Sequence, residues 1–165
     1  MKKTLINYVQ TKKFDDLYTP AYAIYPLLEF VPKGITIWEC TDFGGSEITR
    51  ILREHGCEVI STDKEENFLN YNLESFDMII TNPPFSLKDS FLKRCYELGK
   101  PFALLLPITA LEGKKRNKLF SNNSIEVLVL DSRIDFTGSG KCWFNVSWFC
   151  SGVLPKQLVF KKVIK

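Results

Sequence analysis

The chain has 165 residues, 45 % apolar and 25 % charged, with a net charge of +3. That length fits one domain with its own core and leaves little room for a second. The charge is too weak to prove a nucleic-acid partner and does not oppose one. The five cysteines (Cys40, Cys57, Cys95, Cys142 and Cys150) form no CxxC pair, and His55 is the single histidine. A zinc site is not expected, and a reducing compartment is the simpler reading. The segment after Met1-Lys2-Lys3 has no apolar run long enough for a signal peptide. No stretch reaches the ~18 apolar residues of a membrane span. We expect a cytoplasmic protein without a membrane partner.

In chain order, Tyr22 to Phe30 reads as a helix, opened by Pro20 and closed by Pro32. Residues 35–38 read as a buried strand. Ser46 to His55 reads as a helix with Ser46 as N-cap and Gly56 as its stop. Residues 58–62 form a second strand ending at Asp63, and residues 76–81 a third ending at Asn82. Only 12 residues separate Asp63 from Phe76, too few for a full helix–strand–helix unit, so the sheet is trimmed there. Lys88 to Leu98 is helical and closed by Gly99; residues 102–106 are a fourth strand; Leu111 to Phe120 is helical; residues 125–130 are a fifth strand. Residues 143–150 and 158–163 read as late strands, close enough for an antiparallel hairpin at one edge. Short apolar runs alternating with helices predict an α/β chain: one Rossmann-like, doubly wound, mostly parallel sheet over residues 1–165.

The sharpest motif is Asn82-Pro83-Pro84-Phe85, directly after the third strand. Ligands of open α/β sheets bind at the carboxyl ends of strands, so Asn82 is aimed at a site. The Asn82 side-chain carbonyl and the Pro83 backbone carbonyl are two acceptors whose directions the prolines restrict. Two such acceptors suit a conjugated amine. Holding both N–H groups favours a pyramidal nitrogen with a usable lone pair. Phe85 can stack on the ring that carries the amine. This is chemistry of positioning and electrostatics rather than of a strong base, and a base in a duplex must be flipped out to reach it.

These residues resemble the amino-methylating DNA methyltransferases, specifically the small adenine-N6 enzymes of phages and mobile elements. Thr81 to Ser86 is similar to their catalytic motif, with Asn82, Pro83, Pro84 and Phe85 in the catalytic positions. Asp16-Leu17-Tyr18-Thr19-Pro20 resembles the segment that contacts the methionine part of S-adenosylmethionine. Ile37-Trp38-Glu39 with Gly44-Gly45 resembles the strand and glycine loop beneath the donor. Asp63, 24 residues after Glu39, stands where an acidic residue holds the donor's ribose, and Asn67-Phe68-Leu69 resembles the segment beside its adenine. Leu104 to Pro107, Arg133 to Phe136, Trp143-Phe144 and Trp148-Phe149 match later segments in order, so the resemblance runs from Asp16 to Cys150.

The resemblance implies a class I methyltransferase fold and S-adenosylmethionine as cofactor. The donor would be held by Tyr18, Thr19, Pro20, Glu39, Gly44, Gly45, Asp63, Asn67, Phe68 and Asn82, with no metal. It implies methyl transfer to a base amine, most simply adenine N6, in DNA before RNA. Lys114, Lys115 and Arg116 are candidate phosphate contacts, and Phe136 a candidate base-stacking ring. Core packing explains Phe136 equally well, and a solvated helix face explains the basic cluster. Trp143 and Trp148 read as core or interface residues, and His55 as a partner of its helix C-terminus. The chain departs from the family in its adjacent glycines, in Asn67 where Asp is usual, and in having no separate target-recognition domain. A homodimer or a partner subunit could supply specificity. A second reading therefore stays open: a non-catalytic binding or inhibitor protein of phage origin on the same fold. Methylation of a protein glutamine or a small molecule is a third.

Overall fold

A computed structural model describes residues 17–42, 44–63, 67–142 and 145–165. Seven strands form one sheet: β1 (Thr36–Glu39), β2 (Glu58–Ser61), β3 (Met78–Thr81), β4 (Phe102–Pro107), β5 (Glu126–Leu130), β6 (Val146–Ser151) and β7 (Leu158–Lys161). Their spatial order is β2-β1-β3-β4-β6-β5-β7. All neighbours are parallel except β6, which runs antiparallel to both β4 and β5. The helices are α1 (Tyr25–Leu28), α2 (Glu47–His55), α3 (Lys88–Leu98) and α4 (Lys114–Asn122). The chain moves outward from β1 to β2, returns to β3 on the other side of β1, and then continues outward through β4. Right-handed crossovers then place α2 on one face and α3 and α4 on the other, a doubly wound sheet.

Local sequence explains the well-formed helices. The Ser46 hydroxyl accepts from Thr49 N to cap α2, and Gly56 at φ 102° closes it with an N–H donated to Arg53 O. Ile48, Ile51 and Leu52 recur at helical spacing on its buried face. Gly99 at φ 65° ends α3, which buries Phe91, Leu92 and Cys95. Trp38, Trp148, Phe102 and Phe149 are the largest fully buried side chains of one continuous core. Among the described residues no further strand occurs in sequence between β2 and β3, and β2 is an edge of the sheet. The sheet is trimmed where the short spacing predicts.

Three local expectations are corrected. The N-terminal helix is split into a 3-10 turn, Ala21–Ala23, and α1. Pro26 lacks an N–H and can stand only in a first turn, so a new helix starts beside it. The helix expected from Leu111 begins at Lys114 instead, because Gly113 at φ 109° separates it from a 3-10 turn over Ile108–Leu111. The late strands form no hairpin with each other. Both edges of β6 are taken, by β4 and by β5, so β7 pairs in parallel with the outer edge of β5. The Glu126 carboxylate holds the crossing segment by accepting from the N–H groups of Gly152, Val153 and Leu154. Part of the strand expected over 143–150 falls outside the described residues at Trp143 and Phe144; β6 starts at Val146.

Candidate active site at the strand switch point

The order of strands reverses between β1 and β3, and the carboxyl ends of these two parallel strands flank the crevice where such sheets bind ligands. Glu39 ends β1 and is buried. Its Oε1 accepts from Thr41 N at 3.0 Å and from the Thr81 hydroxyl at 2.5 Å; its Oε2 accepts from Ser46 Oγ at 2.9 Å. Burial raises the Glu39 pKa, and the hydrogen bonds from Thr81, Thr41 and Ser46 only partly offset it. Glu39 thus braces the loop from inside.

Asp42 organises the same loop. Its Oδ1 accepts from Gly44 N at 2.8 Å and Ser46 N at 3.2 Å, while Oδ2 accepts from Thr49 Oγ1 at 2.6 Å. Burial pulls the Asp42 pKa up, but the bonds from Thr49, Gly44 and Ser46 together bring it below its ordinary value. Gly44 and Gly45 have φ of 94° and 82°, and a Cβ on either would meet open space. Backbone conformation therefore favours glycine at both. Phe43 lies outside the described residues, as does Asp16.

The end of β2 is tied to this loop. Thr62 N donates to Glu39 O, Asp42 N donates to Thr62 O, and Trp38 Nε1 donates to Thr62 Oγ1. Asp63, which follows, is exposed beside the loop. Asn67 is exposed and turns the chain by accepting from Leu69 N. Phe68 is buried, stacked on Phe91 at 4.8 Å and edge-on to Trp38 at 5.0 Å.

Across the crevice, Asn82 follows β3. Its Nδ2 donates to Thr19 Oγ1 at 2.9 Å. Its Oδ1 is buried and has no hydrogen-bond partner among the described residues. Its backbone carbonyl accepts from Thr41 Oγ1. Pro83 is buried and Pro84 half-buried. Phe85 is buried and meets Phe136 edge-to-face at 6.4 Å. Lys88 Nζ donates to Phe85 O and holds the motif against the start of α3. A cleft of about 460 Å³ brings Tyr18, Thr19 and Pro20 together with Glu47 at the start of α2 and with Tyr22, Asp135 and Phe136. Asp135 shapes the Phe136 wall: its carboxylate accepts from Thr137 N and Gly140 N, and its own N–H donates to Tyr22 Oη.

The basic cluster stands apart from this cleft. Arg116 donates to Ala110 O and pairs with Asp89 at 2.7 Å, while Lys114 and Lys115 are exposed. Lys115 and Arg116 line a groove of about 230 Å³ with Asp89, Ser90 and Lys93. Trp148 is core, with Nε1 donating to Ala23 O at 2.8 Å. The His55 ring nitrogen lies 2.9 Å from Val31 O. No helix among the described residues is long and apolar enough to cross a membrane.

Sequence reasoning missed Thr41, Asp42 and Thr49 as parts of the site, and named Thr81 only as the residue that opens the motif. Asp42 had a signal: an Asp two residues before a glycine pair is the pattern of an Asx-turn. The threonines had none, because a hydroxyl's partner is set by the sheet rather than by spacing.

No family model matches the sequence, and no curated protein matches it. Solved structures do. A chain from the type I R-M system superposes with a TM-score of 0.56 at 16 % identity, covering 95 % of this chain and 47 % of that one. A modification subunit of a putative type I restriction enzyme from Vibrio vulnificus gives 0.58 at 12 % identity, with 92 % and 48 % covered. A putative class I S-adenosylmethionine-dependent methyltransferase from Listeria monocytogenes gives 0.52 at 13 % identity, with 96 % and 69 % covered. The chain spans about half the length of the first two. On strand order and on these superpositions, the chain has the fold of the class I S-adenosylmethionine-dependent methyltransferases.

Proposed function

We propose that the chain transfers a methyl group from S-adenosylmethionine to the exocyclic amine of a nucleic-acid base, with adenine N6 in DNA as acceptor. The observation that carries this reading is the buried, unpaired Asn82 Oδ1 at the carboxyl end of β3. An orphaned buried acceptor costs about 1–3 kcal/mol, and a bound amine N–H removes that cost. The Pro83 carbonyl takes the second N–H. Phe85 and Phe136, already in contact, form the wall against which the base ring rests.

In this reading the donor lies beside Gly44 and Gly45, where a Cβ would meet open space. Asp63 would hold the ribose hydroxyls, and Tyr18 and Pro20 border the methionine end, with Asn67 and Phe68 beyond. Bound S-adenosylmethionine supplies an electrophilic methyl group. The chain's own residues orient the amine and exclude water around it. Lys114 and Lys115 are free for phosphates. In this reading a second copy or a partner subunit supplies sequence specificity.

The test is methyl transfer from labelled donor to duplex DNA, single-stranded DNA and RNA, with Asn82→Ala alongside. The variant should fold, bind donor and lose methylation; full activity in it overturns the mechanism. One observation favours the second reading, a non-catalytic binding protein of phage origin: the Asp42 carboxylate already occupies the N–H groups of Gly44 and Ser46. Calorimetric titration separates the two. Micromolar donor binding lost in Asp63→Ala supports the enzyme, and no binding at millimolar donor supports the binding protein.

A further inference from the structure

Resemblance places Thr19 on the donor side of the site. The geometry points elsewhere. Thr19 is buried, and its Oγ1 accepts the Asn82 Nδ2 proton at 2.9 Å. We propose that Thr19 is a positioning residue for the acceptor amine: it holds the Asn82 amide with its nitrogen turned away and Oδ1 facing the reacting group. The proposal rests on the reading of Asn82 as the amine-binding residue.

An Asn amide has two faces that differ only in which end donates and which accepts. With Oδ1 forward it can accept an amine N–H. Rotated by half a turn, it presents two N–H groups to two N–H groups, and the amine is repelled. The hydrogen bond to Thr19 engages the NH2 end and leaves Oδ1 unpaired.

Both partners are rigid, and for the same reason. Thr19 precedes Pro20 and Asn82 precedes Pro83, so both backbones are held out of the helical region. Thr19 is also β-branched, which stiffens its χ1. The adjoining segment is pinned, because Ala23 O accepts from the buried Trp148 Nε1 at 2.8 Å. Thr19 and Asn82, 63 positions apart in sequence, are therefore joined by a contact between two restrained side chains. Such a contact sets a direction rather than adding affinity.

The experiment compares Thr19→Val, which keeps the shape and removes the hydroxyl, with Thr19→Ser, which keeps the hydroxyl. Three quantities are read: donor Kd by calorimetry, single-turnover methylation of DNA, and the Asn82 side-chain amide signals by 15N NMR, assigned with Asn82→Asp. We expect Thr19→Val to bind donor within twofold of wild type while its methylation rate falls by about ten- to a hundredfold. Its Asn82 amide protons should lose their protection from exchange. Thr19→Ser should restore both rate and protection. Weakened donor binding with an unchanged rate in Thr19→Val would return Thr19 to the donor and overturn the proposal; so would failure of Thr19→Ser to rescue. A wild-type chain that methylates no acceptor overturns the functional reading alone. The amide signals then decide the positioning claim: protection in wild type and Thr19→Ser but not in Thr19→Val upholds it, and equal protection in all three rejects it.

Discussion

The Thr81 hydroxyl at the end of β3 donates to the Glu39 carboxylate at the end of β1, at 2.5 Å, and both residues are buried. One buried carboxylate thus ties together the two strand ends that flank the crevice. Burial lifts its pKa above the ordinary 4.5. Between pH 4.5 and that raised value the folded chain binds more protons than the unfolded chain, so stability falls as pH rises across this window. Glu39→Gln removes the effect, and Ser46 Oγ can turn to accept from the new amide. The stability of wild type relative to Glu39→Gln should fall as pH rises from about 4.5 and then level off. Denaturant unfolding between pH 4 and 8 measures it; a flat difference contradicts the shift.

Asp42 works in the opposite direction. Its folded pKa lies below the ordinary 3.8, against the pull of burial, through the bonds from Thr49, Gly44 and Ser46. Its contribution is present above that value and is lost as pH falls through the folded pKa. Asp42→Asn should lose about 1–3 kcal/mol near neutral pH and show a shallower loss of stability in acid. Equal acid slopes in the two proteins would count against the assignment.

Trp148 connects the core to the segment that carries Thr19. Trp148→Phe deletes the bond to Ala23 O and leaves that buried carbonyl unpaired. We expect a loss of about 2–4 kcal/mol in denaturant unfolding, with reduced methylation below the unfolding midpoint. A variant as stable as wild type would show that the carbonyl finds another partner.

Lys115 and Arg116 are neighbours with different duties. Lys115→Ala should leave stability within about 0.5 kcal/mol, weaken DNA binding and lower the salt slope by about 1. Arg116→Ala should instead cost about 1–2 kcal/mol of stability, because its guanidinium joins α4 to Ala110 O and Asp89. Salt-dependent binding isotherms and melting curves separate the two; identical effects from both variants would refute the division.

Much of the fold was legible because its signals are local. Ser46, Gly56 and Gly99 act at the helix ends where their chemistry places them, and Asn82 follows a strand as its motif requires. The 12-residue gap before Phe76 revealed the trimmed sheet. What stayed hidden depends on neighbours distant in sequence. The insertion of β6 between β4 and β5 follows from competition for strand edges, which alternation cannot report. The bond from Thr81 to Glu39 exists only once β1 and β3 lie side by side, and the bond from Asn82 to Thr19 only once the N-terminal segment lies against the end of β3. The sequence marks Phe68 as a ring beside the donor's adenine and Phe136 as a base-stacking or core ring, but not that Phe68 packs against Trp38 while Phe136 borders the cleft.

The trimmed sheet also determines how the molecule meets its own copies in concentrated solution. Its β2 border is four residues long, with Glu58 and Ser61 exposed, and offers little to an incoming strand. The β7 border exposes Leu158 and Phe160 and carries Lys161 and Lys162 alongside. The charge of Lys161 is paired with Glu29, so an incoming copy would meet mainly the exposed Leu158 and Phe160 at this end of the sheet. These apolar side chains set the solubility of the whole chain.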